Sequence, residues 1–263
     1  MKDMQNQKDE RGIEIQKVGV KNVTLPLLIK EKGEGFQQVL ANICFTVSLP
    51  MEYKGTHMSR FLEILEPWSK KPIAEEEMEK MLDDAMKRLN AKSANIKIDF
   101  TYFVEKIAPV SKEHSLLNID CFFEGEKSFN DKFNFTLGVS VPFTSLCPCS
   151  REISKYGAHN QRSICHAKVK FKEGFPCIFI EDLTEILENE GSSPIYSLLK
   201  REDEKFVTER AYENPKFVED ILRDDIILLR NLEGISYFSL DIENFESIHN
   251  HNAYASHEEW VNE

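Results

Sequence analysis

Phe133-Asn-Phe-Thr-Leu-Gly-Val-Ser-Val141 alternates without a break: Phe133, Phe135, Leu137, Val139 and Val141 stand against Asn134, Thr136, Gly138 and Ser140. A repeat of two is the period of a strand with one buried face. Downstream, Ile164 to Phe171 alternates in the same way, and Ile180 to Glu190 reads as a helix. Asn214-Pro215 is expected to open a second helix running to about Asn231, because Asn caps well and Pro suits the first helical position. Phe238, Leu240 and Ile242 mark a further strand, and His249 to Ala255 a last one.

Upstream the same order is found. Val39 to Leu49 carries Val, Ala, Ile, Phe, Val and Leu at the odd positions. Met78, Met81, Leu82, Ala85 and Leu89 share one face of a helix over residues 75–89. Ile96 to Val104 alternates, as does Leu117 to Phe123, which ends at an expected Glu124-Gly125 turn. Each half thus reads strand, strand, helix, helix, strand, strand. The fold class is α+β, with two tandem ββααββ modules, antiparallel sheets and helix pairs on one face. Residues 1–15 are polar and are expected to be disordered. The modules are assigned to residues 16–128 and 129–263, the second carrying most of the site. Open antiparallel edges favour self-association.

The chain has 263 residues, 41% hydrophobic side chains and 18 Phe, enough for a substantial core. A net charge of −12 argues against a general nucleic-acid or membrane-surface binder. It does not exclude a small anionic substrate, since Lys54 to Arg60, Arg151 to Arg162 and Lys200 to Arg210 are local basic clusters. The opening residues lack an apolar core of the secretory type, and no run of about 18 apolar residues is present. The expected compartment is the reducing cytoplasm, where cysteines serve as core filler, ligands or nucleophiles. Cys44, Cys121 and Cys165 fall inside strand-like runs and are expected to be buried thiols.

Chemistry concentrates in Ser145-Leu-Cys-Pro-Cys-Ser-Arg-Glu-Ile-Ser-Lys-Tyr-Gly-Ala-His-Asn-Gln-Arg-Ser163. A thiol, Cys147, and an imidazole, His159, are the donor pair preferred by zinc and similar borderline metals. A catalytic site needs a third protein ligand, which must come from elsewhere in the chain. Cys147-Pro148-Cys149 reads either as two ordinary thiols in a turn or as a ligand or nucleophile beside a supporting thiol. Leu199 to Tyr212 reads as a charged, solvated helix, with Glu204 a candidate carboxylate ligand. Glu219 is a surface carboxylate that could also bridge the adjacent N–H donors of a purine edge. Glu246 and His249 directly follow a strand, where an imidazole can transfer protons near neutral pH. His251 and His257 are equally placed by spacing alone.

Together these segments resemble GTP cyclohydrolase I of type IB, the prokaryotic form of the enzyme that opens the guanine ring of GTP. The matching pieces are Lys54-Gly-Thr-His-Met-Ser-Arg-Phe61, Ser145-Leu-Cys-Pro-Cys-Ser150, Tyr156-Gly-Ala-His-Asn-Gln-Arg-Ser163, Asp203-Glu-Lys-Phe-Val-Thr-Glu209, Ala211-Tyr-Glu-Asn-Pro-Lys-Phe-Val-Glu-Asp220 and Glu243-Asn-Phe-Glu-Ser-Ile-His249. Glu202 stands where that family usually has Pro. The resemblance implies the tunnelling fold and a homotetramer with active sites at subunit interfaces. It implies metal ligation by Cys147, His159 and Glu204, with Zn or Mn as the divalent metal and Fe as a third option. It implies Glu219 as the guanine anchor and Glu246 and His249 as acid/base groups beside the metal. Lys54, Arg60 and Arg162, with Arg151 and Lys155, are triphosphate candidates by charge and neighbourhood. The implied reaction is hydrolysis of GTP to 7,8-dihydroneopterin triphosphate and formate, the first step of folate and pterin biosynthesis. Water acidified by the metal would attack C8 of the purine while His249, assisted by Glu246, protonates a ring nitrogen. Two alternatives are a same-fold nitrile reductase of queuosine biosynthesis, using Cys147 or Cys149 with NADPH, and a non-enzymatic purine- or metal-binding protein. The Glu-Ser-Lys motif expected of the reductase is absent.

Overall fold

The computed structural model describes residue 5, residues 7–129 and residues 131–261. Of the segment expected to be disordered, residues 1–4 and 6 lie outside the described residues. Lys8 pairs with Tyr53 in an isolated bridge, and Asp9 accepts from the guanidinium of Arg11.

In chain order the elements are β1 (Ile15–Lys30), β2 (Phe36–Leu49), α1 (Met58–Trp68), the two-residue β3 (Pro72–Ile73), α2 (Glu75–Leu89), β4 (Ser93–Ile107) and β5 (His114–Ser128). They continue with β6 (Asn134–Leu146), α3 (Pro148–Ile153), β7 (Asn160–Phe171), α4 (Ile180–Asn189), the two-residue β8 (Ser193–Pro194), α5 (Arg201–Glu213), α6 (Val218–Asn231), β9 (Ile235–Asn244) and β10 (Ala253–Trp260). Hydrogen-bonded neighbours run β10-β9-β7-β6-β5-β4-β2-β1-β3, with β8 on β6. The pairings β1–β2, β2–β4, β7–β9 and β9–β10 are antiparallel, and the short β3 joins β1 in parallel. Two compact units divide the chain: residues 1–101 with 122–137, and residues 102–121 with 138–263. No helix among the described residues is long and apolar enough to cross a membrane.

In the first unit the odd residues of β2 face the core, from Val39 to Leu49. Phe45 meets Phe61 of α1 edge-on, with ring centroids 5.4 Å apart. Helix α2 spans the residues its periodicity predicts and buries Met78, Met81, Leu82 and Ala85. Glu75, Glu76 and Glu77 fill its first turn and Lys87 and Arg88 its last, each sign opposing the helix dipole. Asn90 ends it in the left-handed conformation, which Asn tolerates better than most residues. Each large apolar side chain buried here contributes about 1.5–3 kcal/mol relative to exposure. Two expectations are corrected. Cys44 is only half-buried, because it occupies an even position of β2, opposite the core face. Gly125 is no turn: β5 runs on to Ser128, and a Cβ on Gly125 would lie 3.1 Å from both the Met78 and Phe133 side chains. The missing side chain lets α2 approach the strand.

In the second unit, Leu183 and Leu187 of α4 and Ile221 and Leu229 of α6 are fully buried, as are Val169 of β7 and Phe238, Leu240 and Ile242 of β9. This half has more helix than a single pair, since the short α3 and the charged α5 are added. Asn214 does not open α6. It is the C-cap of α5, and its amide donates to the carbonyl of Gly191 at 3.1 Å. Helix α6 begins at Val218, where Asp220 accepts from the Phe217 N–H at 3.0 Å. The last strand starts at Ala253 rather than His249.

Asp225 of α6 is fully buried, and its carboxyl has beside it the Cys165 thiol, a weak donor that does not satisfy its two oxygens. Burial pushes its pKa well above the usual carboxylate range, with the nearby Glu190 adding to the shift. Above the unfolded value, near 4, the unfolded chain releases a proton that the folded chain keeps. Stability is therefore fully present below that value and falls as pH rises toward the folded pKa. Asp225→Leu, which has the same branching, is expected to stabilise the protein by about 1–3 kcal/mol at pH 8. Denaturant titrations from pH 5 to 8 should show a shallower decline than in the parent; a destabilised variant would show that the carboxyl is not a liability.

Candidate active site

Strand β6 ends at Leu146, and Cys147 follows as the N-cap of α3 with Pro148 at the first helical position. The Cys147 sulfur accepts from the Ser150 N–H at 3.4 Å. The Cys147 N–H donates to the His159 carbonyl at 3.1 Å. Ser150 completes the clasp: its hydroxyl donates to the Cys147 carbonyl and accepts from the His159 N–H, both at 3.1 Å. Backbone hydrogen bonds thus hold together two residues twelve apart in sequence. Pro148 and Cys149, one reading of which is a turn, open the short helix α3, and Cys149 is exposed.

The His159 ring hydrogen-bonds through Nδ1 to Gln161 Oε1 at 3.0 Å. Glu246 Oε2 lies 3.7 Å from the same nitrogen, the two side chains being 14% and 11% exposed. Glu246 arrives there because the β7–β9 ladder extends past Asn244: the Phe245 N–H donates to the Arg162 carbonyl at 3.0 Å. His249 lies in the loop beyond, exposed, with its ring stacked on that of His251 at 5.1 Å.

Glu204 is exposed in the first turn of α5. Its neighbour Asp203 is fully buried and accepts from the N–H groups of Val110, Ser111 and Lys200 at 2.8–2.9 Å and from the Ser111 hydroxyl at 2.6 Å. Burial opposes the charge of Asp203, but these four donors outweigh it and hold the carboxyl well below the usual range. The Arg151 guanidinium of α3 lies 4.7 Å over the Tyr212 ring of α5, joining the helix after Cys147 to the helix bearing Glu204. Glu219 is exposed in the first turn of α6. The turn before it is fastened by Lys216, whose N–H donates to the Leu146 carbonyl at 3.1 Å and whose ammonium pairs with Glu190 and Asp224. Arg162 is exposed on β7. In the other unit, Lys54 is exposed, and Arg60 of α1 donates to the Arg88 carbonyl at the end of α2, 3.1 Å away.

The second unit therefore ties Cys147 to His159 through their backbones and sets the Glu246 carboxylate beside the His159 ring. Among the described residues no three His, Cys, Asp or Glu side chains converge as a metal-binding group, so Glu204 is not joined to the pair within one chain. The pair itself suits a borderline divalent metal: a sulfur donor, and an imidazole whose Nδ1 is engaged and whose Nε2 is left for ligation. Three participants escaped the sequence reading, namely Ser145, Gln161 and Ser163. Their signal was present: all three are polar yet occupy core-facing positions of alternating strands.

Comparison with known proteins bears on the fold and the family of this chain. The crystal structure of a highly active BTUO mutant superimposes with a TM-score of 0.51 at 8% identity, covering 94% of this chain and 98% of that one. Urate oxidase from Bacillus subtilis 168 gives a TM-score of 0.48 at 9% identity. The first likeness speaks to the fold alone, and the fold is the α+β tunnelling fold. In sequence, GTP cyclohydrolase FolE2 of Geobacter sp. (strain M21) is 52% identical over 256 residues, 97% of this chain and 94% of that protein. GTP cyclohydrolase FolE2 of Geobacter sulfurreducens is 52% identical over 259 residues, 98% of each chain, and that of Thermotoga neapolitana 49% identical over 255 residues. The family model for type I GTP cyclohydrolase folE2 matches residues 1–255, a span that takes in every residue of the Cys147 and His159 clasp. With half of its residues shared across nearly its whole length, this chain belongs to the type I GTP cyclohydrolase FolE2 family.

Proposed function

We propose that this chain hydrolyses GTP to 7,8-dihydroneopterin triphosphate and formate in folate biosynthesis, as the prokaryotic type IB form of GTP cyclohydrolase I. The observation that carries the reading is the Cys147–His159 clasp, with Glu246 beside it, in a chain about half identical to FolE2 proteins. Cys147, His159 and Glu204 would hold a divalent metal, Zn or Mn with Fe as a third option, whose chemistry is to acidify water for attack at purine C8. Glu219 accepts the paired N–H donors of the guanine edge, a bidentate contact that rejects bases lacking them. His249, assisted by Glu246, donates a proton to the imidazole-ring nitrogen as its bond to C8 breaks. Lys54, Arg60 and Arg162 offset the triphosphate charge.

The assembly is a homotetramer with sites at subunit interfaces, Glu204 being offered to the pair of a neighbouring copy. Ile153 and Tyr156 support this, because they are 85% and 89% exposed in the segment between Cys147 and His159. Apolar side chains so exposed beside a site are what a partner surface covers. Cys44, Cys121, Cys147, Cys149 and Cys165 form no disulfide, which suits a cytoplasmic protein.

The test is GTP turnover by metal-stripped protein with Zn²⁺, Mn²⁺, Fe²⁺ or nothing added back, read as formate and as oxidised neopterin fluorescence. Both products are expected only with metal restored. Folded protein that forms neither with any of the three ions sinks the reading.

A further inference from the structure

Strand β7 turns residues 161, 163, 165, 167 and 169 toward the core, and β6 does the same with 141, 143 and 145. Cys165, Ala167, Val169, Val141 and Phe143 fill that face as the pattern requires. At its site end the apolar face gives way to Gln161, 8% exposed, and to Ser145 and Ser163, both 0% exposed. Buried polar groups cost stability unless bonded to one another. These are bonded in a chain that leads to one imidazole. The Ser163 hydroxyl donates to Ser145 Oγ at 2.9 Å, Gln161 Nε2 donates to the same oxygen at 2.8 Å, and Gln161 Oε1 faces His159 Nδ1 at 3.0 Å.

We propose that Gln161 is a positioning residue for His159: anchored by Ser145 and Ser163, it fixes the imidazole as the Nδ1–H tautomer and so presents the bare Nε2 to the metal. The inference deepens the proposed function and rests on its reading of His159 as a ligand. The logic is one of donors and acceptors. With the amide NH₂ of Gln161 spent on Ser145, only its carbonyl is left for His159, and a carbonyl can only accept. His159 Nδ1 must therefore carry the hydrogen, which leaves a lone pair on Nε2. The same contact has a second effect. Glu246 Oε2 stands 3.7 Å from Nδ1, beyond a charge-assisted hydrogen bond. A Glu246 carboxylate bonded there would be spent on orienting the ring. With a neutral amide on Nδ1 instead, Glu246 stays available for proton transfer.

The experiment uses the full chain with ¹⁵N-labelled histidine, metal-free, and long-range ¹⁵N–¹H correlation spectra to read each ring's tautomer. Zn²⁺ affinity is measured in parallel by competition with a chromophoric chelator. Parent His159 is expected as Nδ1–H. Gln161→Met keeps the length but removes the acceptor. It should shift His159 toward Nε2–H and weaken Zn²⁺ binding about 10–100-fold. Gln161→Glu, which restores an acceptor, should return the Nδ1–H tautomer. A parent protein with His159 as Nε2–H overturns the proposal whether or not any variant folds. Unchanged tautomer and affinity in folded Gln161→Met overturn it while leaving the ligand reading intact. Zn²⁺ affinity unchanged by His159→Ala overturns the ligand reading and the proposal together.

Discussion

Cys147→Ala and His159→Ala are each expected to abolish stoichiometric divalent-metal binding and to lower GTP turnover by about 10³-fold or more. The size follows from what a catalytic metal contributes, several kcal/mol of transition-state stabilisation, at 1.36 kcal/mol for each factor of ten. The two variants differ in stability, and that difference checks the geometry. Cys147→Ala keeps the backbone bond to the His159 carbonyl and loses only the contact from the Ser150 N–H to sulfur. Such a loss costs about 0.5–1.5 kcal/mol. His159→Ala strips Gln161 Oε1 of the donor it faces in a site where Gln161 is 8% exposed. An orphaned buried acceptor costs about 1–3 kcal/mol. Metal content by elemental analysis, turnover by formate release and denaturant unfolding of the metal-free proteins read the three quantities separately. A metal-loaded, fully active Cys147→Ala protein would remove Cys147 from the ligand set.

That prediction draws on a clasp of which sequence reveals only half. Cys147 and His159 are legible because their donor chemistry is rare in a polar, Gly-containing segment. Their meeting depends on Ser150, whose hydroxyl serves both backbones and whose residue type carries no such signal. Long periodic elements read well: α2 spans its expected residues because four buried side chains and both charged ends point to one answer. Short or shared signals read poorly. Helix α3 has six residues, too few for a helical period to emerge. The Asn214 signal is a real capping signal, but it serves the end of α5 rather than the start of α6. Burial of Cys44 fails on parity alone, one position away from the core face. Asp203 carries no signal in the sequence, because its four donors include the Ser111 hydroxyl and N–H, 92 residues away. No local pattern encodes a contact of that range. The Gln161 chain is the intermediate case, visible as polar residues in an apolar register once the strands are aligned.

His249→Ala is expected to lower turnover by about 10²–10⁴-fold, the usual worth of a positioned general acid, with metal content unchanged. Three histidines lie within nine residues at this end of the chain, and the structure separates them. His257 is fixed in a framework: its Nε2 bonds Glu259 at 2.8 Å, and Glu259 is clasped by Arg230 of α6 at 2.6 and 2.7 Å. The Arg230 guanidinium first, and His257 second, hold the Glu259 carboxyl down to about 2. His257→Ala should therefore loosen β10 on α6 without changing turnover per folded molecule. His249 and His251 are both exposed and stack on each other, so exposure alone does not choose between them. The choice rests on Glu246, which is held beside His159 three residues before His249. An acid assisted by that carboxylate must come from the start of the loop, so His251→Ala should keep turnover within a few-fold. Proton donation also has a signature that a structural role lacks: added imidazole should restore part of the rate to His249→Ala and none to Cys147→Ala. Equal losses in the His249 and His251 variants, or no rescue by imidazole, would assign the proton to another group.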